Sequence, residues 1–332
     1  MCHDALSGAS RQEKVTRHLD YDALVRNHGG FHSPGTFGGA AFGLCLVVTL
    51  LVSGCSSRST TQEQSFPWQA APTSIVQEVT NVPSAVFDQV GSQPTVTSPL
   101  LVKSQPLLRF DGKPGIYYMG SEPCPLCAAE RWAFLVATSR FGAWSTLGIA
   151  QSASNDEFPN TQTFTLARSS FSSPFITVRT VERLSSHQLA NGRYSTLQQP
   201  TSLEASLYSE YDTPRYFPAS PGTLPFLDFG NHVVAAGPSY DPGILAGLNR
   251  GQVAADLTDP TNRVTQAIVG TANYLAAAIC SIDARQPRSV CTSSGVTQAM
   301  NFENTGQGVG SCPAAPQNQS VCGGPKSSMR RS

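Results

Sequence analysis

The chain has 332 residues, with 22 basic and 22 acidic side chains, and charged residues make up only 13% of it. That balance leaves neither a basic stripe for nucleic acid nor an acidic solvating tail, so no nucleic-acid partner is expected. The length supports one sizeable core with an added segment.

The first 36 residues carry four basic side chains (Arg11, Lys14, Arg17, Arg26) and four acidic ones (Asp4, Glu13, Asp20, Asp22). An export signal opens with a short basic region, which fits a start near Val25 with Arg26 as its basic residue. Ala40 to Val52 is almost uninterruptedly apolar and carries no charge. It is short for a bilayer crossing, which takes about 20 residues, and suits the apolar core of a secretory signal. Ser53-Gly54-Cys55 follows and resembles a lipobox, the bacterial lipoprotein pattern in which Cys55 is acylated. The alternative is an uncleaved signal anchor from about Phe37 to Val52. Both readings put the rest of the chain at the membrane on the extracytoplasmic side. The expected organisation is a signal region over residues 1–54, a lipidated Cys55 with a polar tether over 55–74, a folded domain over 75–300, and a disordered tail over 301–332.

Ile75 to Val90 has near-helical apolar spacing, with Pro83-Ser84 opening a short helix. Leu107 to Phe110 and Gly115 to Met119 read as strands around the turn Asp111-Gly112-Lys113-Pro114. A helix is expected from Pro125 to about Arg140, stopping before Gly142. Leu147 to Ala150, Thr161 to Leu166 and Phe175 to Val181 read as strands. Thr201 to Tyr211 reads as a helix with a capping signal at Thr201 and Glu204. Gly230-Asn231 separates two β-prone runs between Thr223 and Gly237, a hairpin signal. Asp241-Pro242-Gly243-Ile244 is expected to start a helix, and Val264 to Cys280 to form a long one.

The chemistry is carried by Cys124-Pro125-Leu126-Cys127, placed where a strand gives way to a helix. A helix start holds unpaired N–H groups and about half a positive charge, which favours thiolate over thiol. Pro125 suits the first helical position. Glu130 and Arg131 follow on the same helix; a proton relay to the buried thiol is one role open to Glu130, and a solvated helix face is the default for both. Cys280 with Cys291, and Cys312 with Cys322, are candidate disulfides of an oxidising compartment, with the pairing open.

The order of strand, C-x-x-C, helix, further strands, and X-Pro at a terminal hairpin resembles the thioredoxin fold. The implied class is α/β: a thioredoxin-like central mixed sheet flanked by helices, with an added helical C-terminal part. Pro225 stands where such proteins keep a cis-proline, and a cis bond there would free the Leu224 backbone to bind a substrate chain. Ser121-Glu-Pro-Cys-Pro-Leu-Cys-Ala-Ala-Glu-Arg-Trp132 resembles the signature of an uncharacterised thioredoxin-like family of actinobacterial and archaeal proteins, over roughly residues 75–295. Pro123 departs from thioredoxin, which has tryptophan there.

The expected function is thiol–disulfide exchange, with Cys124 as the attacking thiol and Cys127 resolving the mixed disulfide. The expected partners are client proteins with thiols or disulfides, a redox partner protein, and the membrane through the lipid anchor. No cofactor and no metal is expected: C-x-x-C is half a zinc site, and Cys280 with Cys291 could complete it, but exported cysteines are usually oxidised. The alternative is a non-catalytic lipoprotein that uses the scaffold as a binding or assembly module.

Overall fold

The computed structural model describes residues 68–102, 104–218 and 220–304. The signal region, Cys55, Cys312 and Cys322 lie outside these residues.

Two short helices, α1 (Thr73–Thr80) and α2 (Ser84–Val90), lead in. Strands β1 (Leu100–Leu101) and β2 (Arg109–Phe110) precede β3 (Lys113–Gly120), which feeds directly into α3 (Pro125–Thr138). An excursion of four short strands follows: β4 (Ala143–Ser145), β5 (Gly148–Gln151), β6 (Gln162–Thr165) and β7 (Ser170–Ser172). The chain returns through β8 (Thr177–Glu182), then makes a small ribbon from β9 (Leu184–Gln188) and β10 (Tyr194–Thr196). Helix α4 (Ser202–Tyr211) leads to a hairpin of β11 (Phe226–Phe229) and β12 (Val233–Ala236). Helices α5 (Arg250–Asp256), α6 (Arg263–Ile282), α7 (Arg288–Cys291) and α8 (Ser294–Asn304) form the C-terminal part.

The central sheet is mixed, in the order β1-β12-β11-β3, with β8 beside β3 and β2 on the β3 entry. β3 and β8 run parallel, with Gly115 opposite Thr177 and Gly120 opposite Glu182. A parallel pair needs a long crossover, which α3 and the excursion provide. β11 pairs antiparallel with both β3 and β12. Because side chains alternate along a strand, β3 serves both faces. Ile116 and Tyr118 enter the larger core with α3 and α6, while Tyr117 and Met119 enter a second core with Phe226 and Tyr211.

α3 is covered on every side, as an almost wholly apolar helix must be. It packs on α6, β6 and α1. Trp132 is fully buried, donates its indole N–H to the Gln162 carbonyl at 3.0 Å and meets the Phe164 ring edge-on at 4.8 Å. Burial of this kind contributes about 3 kcal/mol or more for such a side chain. α6 is long and apolar enough to cross a membrane, but 89% of its apolar window is buried inside the protein.

Three expectations are corrected. Glu130 and Arg131 do not lie on a solvated face; both are 0% exposed, because α3 has no free side. Asp241 starts a single 3-10 turn, Pro242–Leu245, with Gly247 at φ 77° turning the chain soon after. The stretch read as tether up to residue 74 already joins the fold by Gln69, whose carbonyl accepts from the Ile149 N–H at 2.9 Å.

Candidate functional site

The end of β3 and the start of α3 build the site locally. The Cys124 N–H donates to the Ser121 carbonyl at 3.1 Å, closing the turn. Cys124 is the N-cap, Pro125 is the first helical residue, and the Ala128 N–H reaches the Cys124 carbonyl at 3.0 Å. The Cys124 Sγ takes the role that a serine or aspartate oxygen usually fills and accepts from the Cys127 N–H at 3.1 Å. Both thiols are free; Cys124 is half-buried and Cys127 is fully buried.

Their environments drive the two thiols apart. Hydrogen bonds from Cys127 hold Cys124 below the ordinary thiol value, against the opposing effect of its own burial, and the Arg131 charge helps. Burial pushes Cys127 well up, and Cys124 beside it adds to the rise. One accessible, acidic thiol and one buried, weakly acidic thiol is the division of labour that exchange chemistry uses.

Below them lies a buried ion pair. Arg131 binds Glu182 through two parallel contacts, Nε to Oε1 at 2.7 Å and Nη2 to Oε2 at 2.6 Å. Glu182 comes from the C-terminal end of β8, which the parallel register sets beside Gly120 at the end of β3.

Cys124 opens onto a groove of about 460 Å³ that is also lined by Pro123, Leu126, Leu184, Tyr194 and Leu224. The Leu224–Pro225 peptide bond is cis. The Pro225 carbonyl is taken by the Gly237 N–H at 2.8 Å. Among the described residues, neither the N–H nor the carbonyl of Leu224 has a hydrogen-bond partner.

Two carboxylates hold the groove's walls. Asp212, at the end of α4, accepts from the Ser220 hydroxyl, from the Gly222 N–H at 2.5 Å and from the Thr223 N–H at 3.4 Å. It thereby fixes the turn that presents Leu224. Glu122 accepts from the Ser186 N–H at 2.7 Å and its hydroxyl at 2.9 Å, while the Glu122 N–H donates to the Leu184 carbonyl at 3.0 Å. It thus clips the β9–β10 ribbon beside the cysteine turn.

The structure therefore brings Cys124, Cys127, Leu224 and Pro225 together, although about a hundred residues separate the two pairs in sequence. Cys280 and Cys291 form a disulfide elsewhere, between α6 and α7, with Cα atoms 5.6 Å apart. Their sulfurs are bonded to each other and so are not available to complete a zinc site with Cys124 and Cys127. An Asp283 carboxylate oxygen lies within 4.8 Å of both. His232 packs its Nε2 against the Gln105 carbonyl at 3.0 Å, away from the thiols. Sequence reasoning missed Glu122, Asp212 and Glu182 and misjudged Arg131. The available signal was the lone Glu-Arg pair inside an otherwise apolar helix, which marks charges that must be buried and partnered.

A family model described as a domain of unknown function, DUF929, matches residues 99–281. No curated protein and no solved structure matches the chain. Since the match spans more than half of the chain, this protein belongs to the DUF929 family.

Proposed function

We propose that this chain is a thioredoxin-like thiol–disulfide exchange protein, held at the extracytoplasmic face of the membrane by a lipid on Cys55. The observation that carries the reading is the capped Cys124 Sγ, opening onto the same groove as the unengaged backbone of Leu224. The chain order supports the thioredoxin-like part: strand, C-x-x-C, helix, parallel strand, helix, cis-proline hairpin, helix.

The Cys124 thiolate attacks one sulfur of a client disulfide and forms a mixed disulfide, and the client's other sulfur leaves as a thiolate that takes up a proton. Cys127 loses its proton and attacks the Cys124 sulfur, expelling the second client thiolate. The client gains two electrons, and Cys124 and Cys127 become a disulfide. The same steps in reverse oxidise a client dithiol. A second redox protein returns the pair to its starting state. During the mixed-disulfide stage the client backbone lies across the groove and pairs with the Leu224 N–H and carbonyl, which orients the reacting sulfurs.

Replacing the resolving thiol tests the proposal. In the native envelope, Cys127→Ala is expected to accumulate mixed disulfides with client proteins through Cys124, and Cys124→Ala to accumulate none. A Cys127→Ala chain that captures nothing, with an internal bond resistant to mild reductant in the parent, would instead assign the scaffold to a static binding or assembly module.

A further inference from the structure

We infer that Arg131 is a positioning residue that sets the electron-accepting poise of the Cys124–Cys127 pair, with Glu182 as its counterweight. The inference rests on the exchange reading of the site and goes beyond it, since nothing in exchange chemistry itself requires a buried cation here.

Arg131 stands four residues after Cys127, so the two side chains share one face of α3 on successive turns. It is fully buried, where an isolated cation would cost many kcal/mol and a partner is obligatory. Glu182 supplies that partner through Nε and Nη2 only. The remaining nitrogen, Nη1, has no hydrogen-bond partner among the described residues, and neither has the buried hydroxyl of Tyr118. A pair kept only for stability would be expected to use the whole guanidinium, or to be replaced by apolar side chains at no loss.

The pair is also oriented. The Arg131 charge favours the thiolate at both Cys124 and Cys127, and at Cys127 it outweighs the opposing charge of Glu182. The cationic end is thus the one the sulfurs experience. A cation beside the sulfurs stabilises the reduced, thiolate-bearing state and does nothing for the neutral disulfide. It therefore makes the pair a better oxidant, beyond the half charge of the helix end.

The test is equilibration of the full chain with glutathione, in which one Cys124–Cys127 disulfide and two glutathione thiols give the dithiol and one glutathione disulfide. Arg131→Met is expected to lower the equilibrium constant for reduction about tenfold, a shift of about 30 mV toward a more reducing pair. It is also expected to raise the pH at which Cys124 ionises. Glu182→Gln, which unmasks the cation, is expected to move both quantities the opposite way. Arg131→Lys is expected to retain most of the parent value. Shifts in the same direction for Arg131→Met and Glu182→Gln, or no shift in either, would overturn the inference and leave a structural ion pair. If either single variant fails to fold, the neutral double replacement Arg131→Met with Glu182→Met decides. A reducing shift supports the inference and an unchanged constant overturns it. Client capture by Cys127→Ala is scored separately. Capture with an unmoved constant removes the role of Arg131 alone, and a moved constant without capture removes the exchange reading alone.

Discussion

Glu130 is the most quantitative point at which the fold can be tested. Its carboxylate is fully buried in α3 and held by the Ser239 N–H at 2.9 Å and the Ser239 hydroxyl at 3.0 Å. Burial pushes its pKa from 4.5 up to about 7, and the two Ser239 hydrogen bonds offset only part of that rise. Between those values the native state binds the proton that the unfolded chain has released, so stability must fall as pH rises. The contribution is fully present below about pH 4.5 and lost above about pH 7. At 1.36 kcal/mol per unit, a shift of this size amounts to about 3 kcal/mol. Glu130→Gln has nothing to titrate. Urea unfolding of parent and variant from pH 4.5 to 8, with the Cys280–Cys291 bond kept intact, is the assay. Asp228, pushed up to about 7, and Asp283, pushed up to about 6, add slopes of the same sign. Both are common to the two proteins and cancel in the difference. The variant is expected to gain about 3 kcal/mol relative to the parent between pH 4.5 and pH 8. Parallel stability curves across that range would mean that Glu130 does not hold its proton in the native state near neutral pH.

Two further outcomes are expected. Replacing Cys280 and Cys291 together by serine removes a crosslink over an 11-residue separation and should cost about 3 kcal/mol in urea unfolding, while Cys124 keeps its reactivity toward alkylating reagents. Asp212→Ala frees the Ser220–Thr223 turn and strands its N–H donors, so it should cost about 2 kcal/mol. It should also reduce client capture by the Cys127→Ala chain without changing the rate at which Cys124 is alkylated, because Asp212 holds the Leu224 wall and not the thiols.

What the sequence made legible was local. Thr201 and Glu204 do form a capping box, with the Glu204 N–H on the Thr201 hydroxyl at 3.3 Å and the Thr201 N–H on the Glu204 carboxylate at 2.8 Å. Gly230-Asn231 does turn the β11–β12 hairpin, with both residues at positive φ. The mixed α/β class, the central sheet and the helical C-terminal part follow from such signals taken in order. The supports of the site were hidden because their partners are distant in the chain. Arg131 meets Glu182 51 residues on, and Glu130 meets Ser239 109 residues on. No spacing rule on α3 reveals either contact. The four-stranded excursion was only partly visible: β5 falls on a short apolar run and β6 within a β-like alternation, whereas β4 and β7 have three residues each, too few to set a period.

The helix start makes Cys124 an acidic, accessible thiol while burial silences Cys127. The most direct measurement is the pH dependence of iodoacetamide alkylation of the reduced chain, with the modified peptide identified by mass spectrometry. Cys124 is expected to react first, with a midpoint below the ordinary thiol value of about 8.5, and Cys127 to stay unmodified until the chain unfolds. A midpoint at or above that value, or modification of Cys127 ahead of Cys124, would contradict this division between the two thiols.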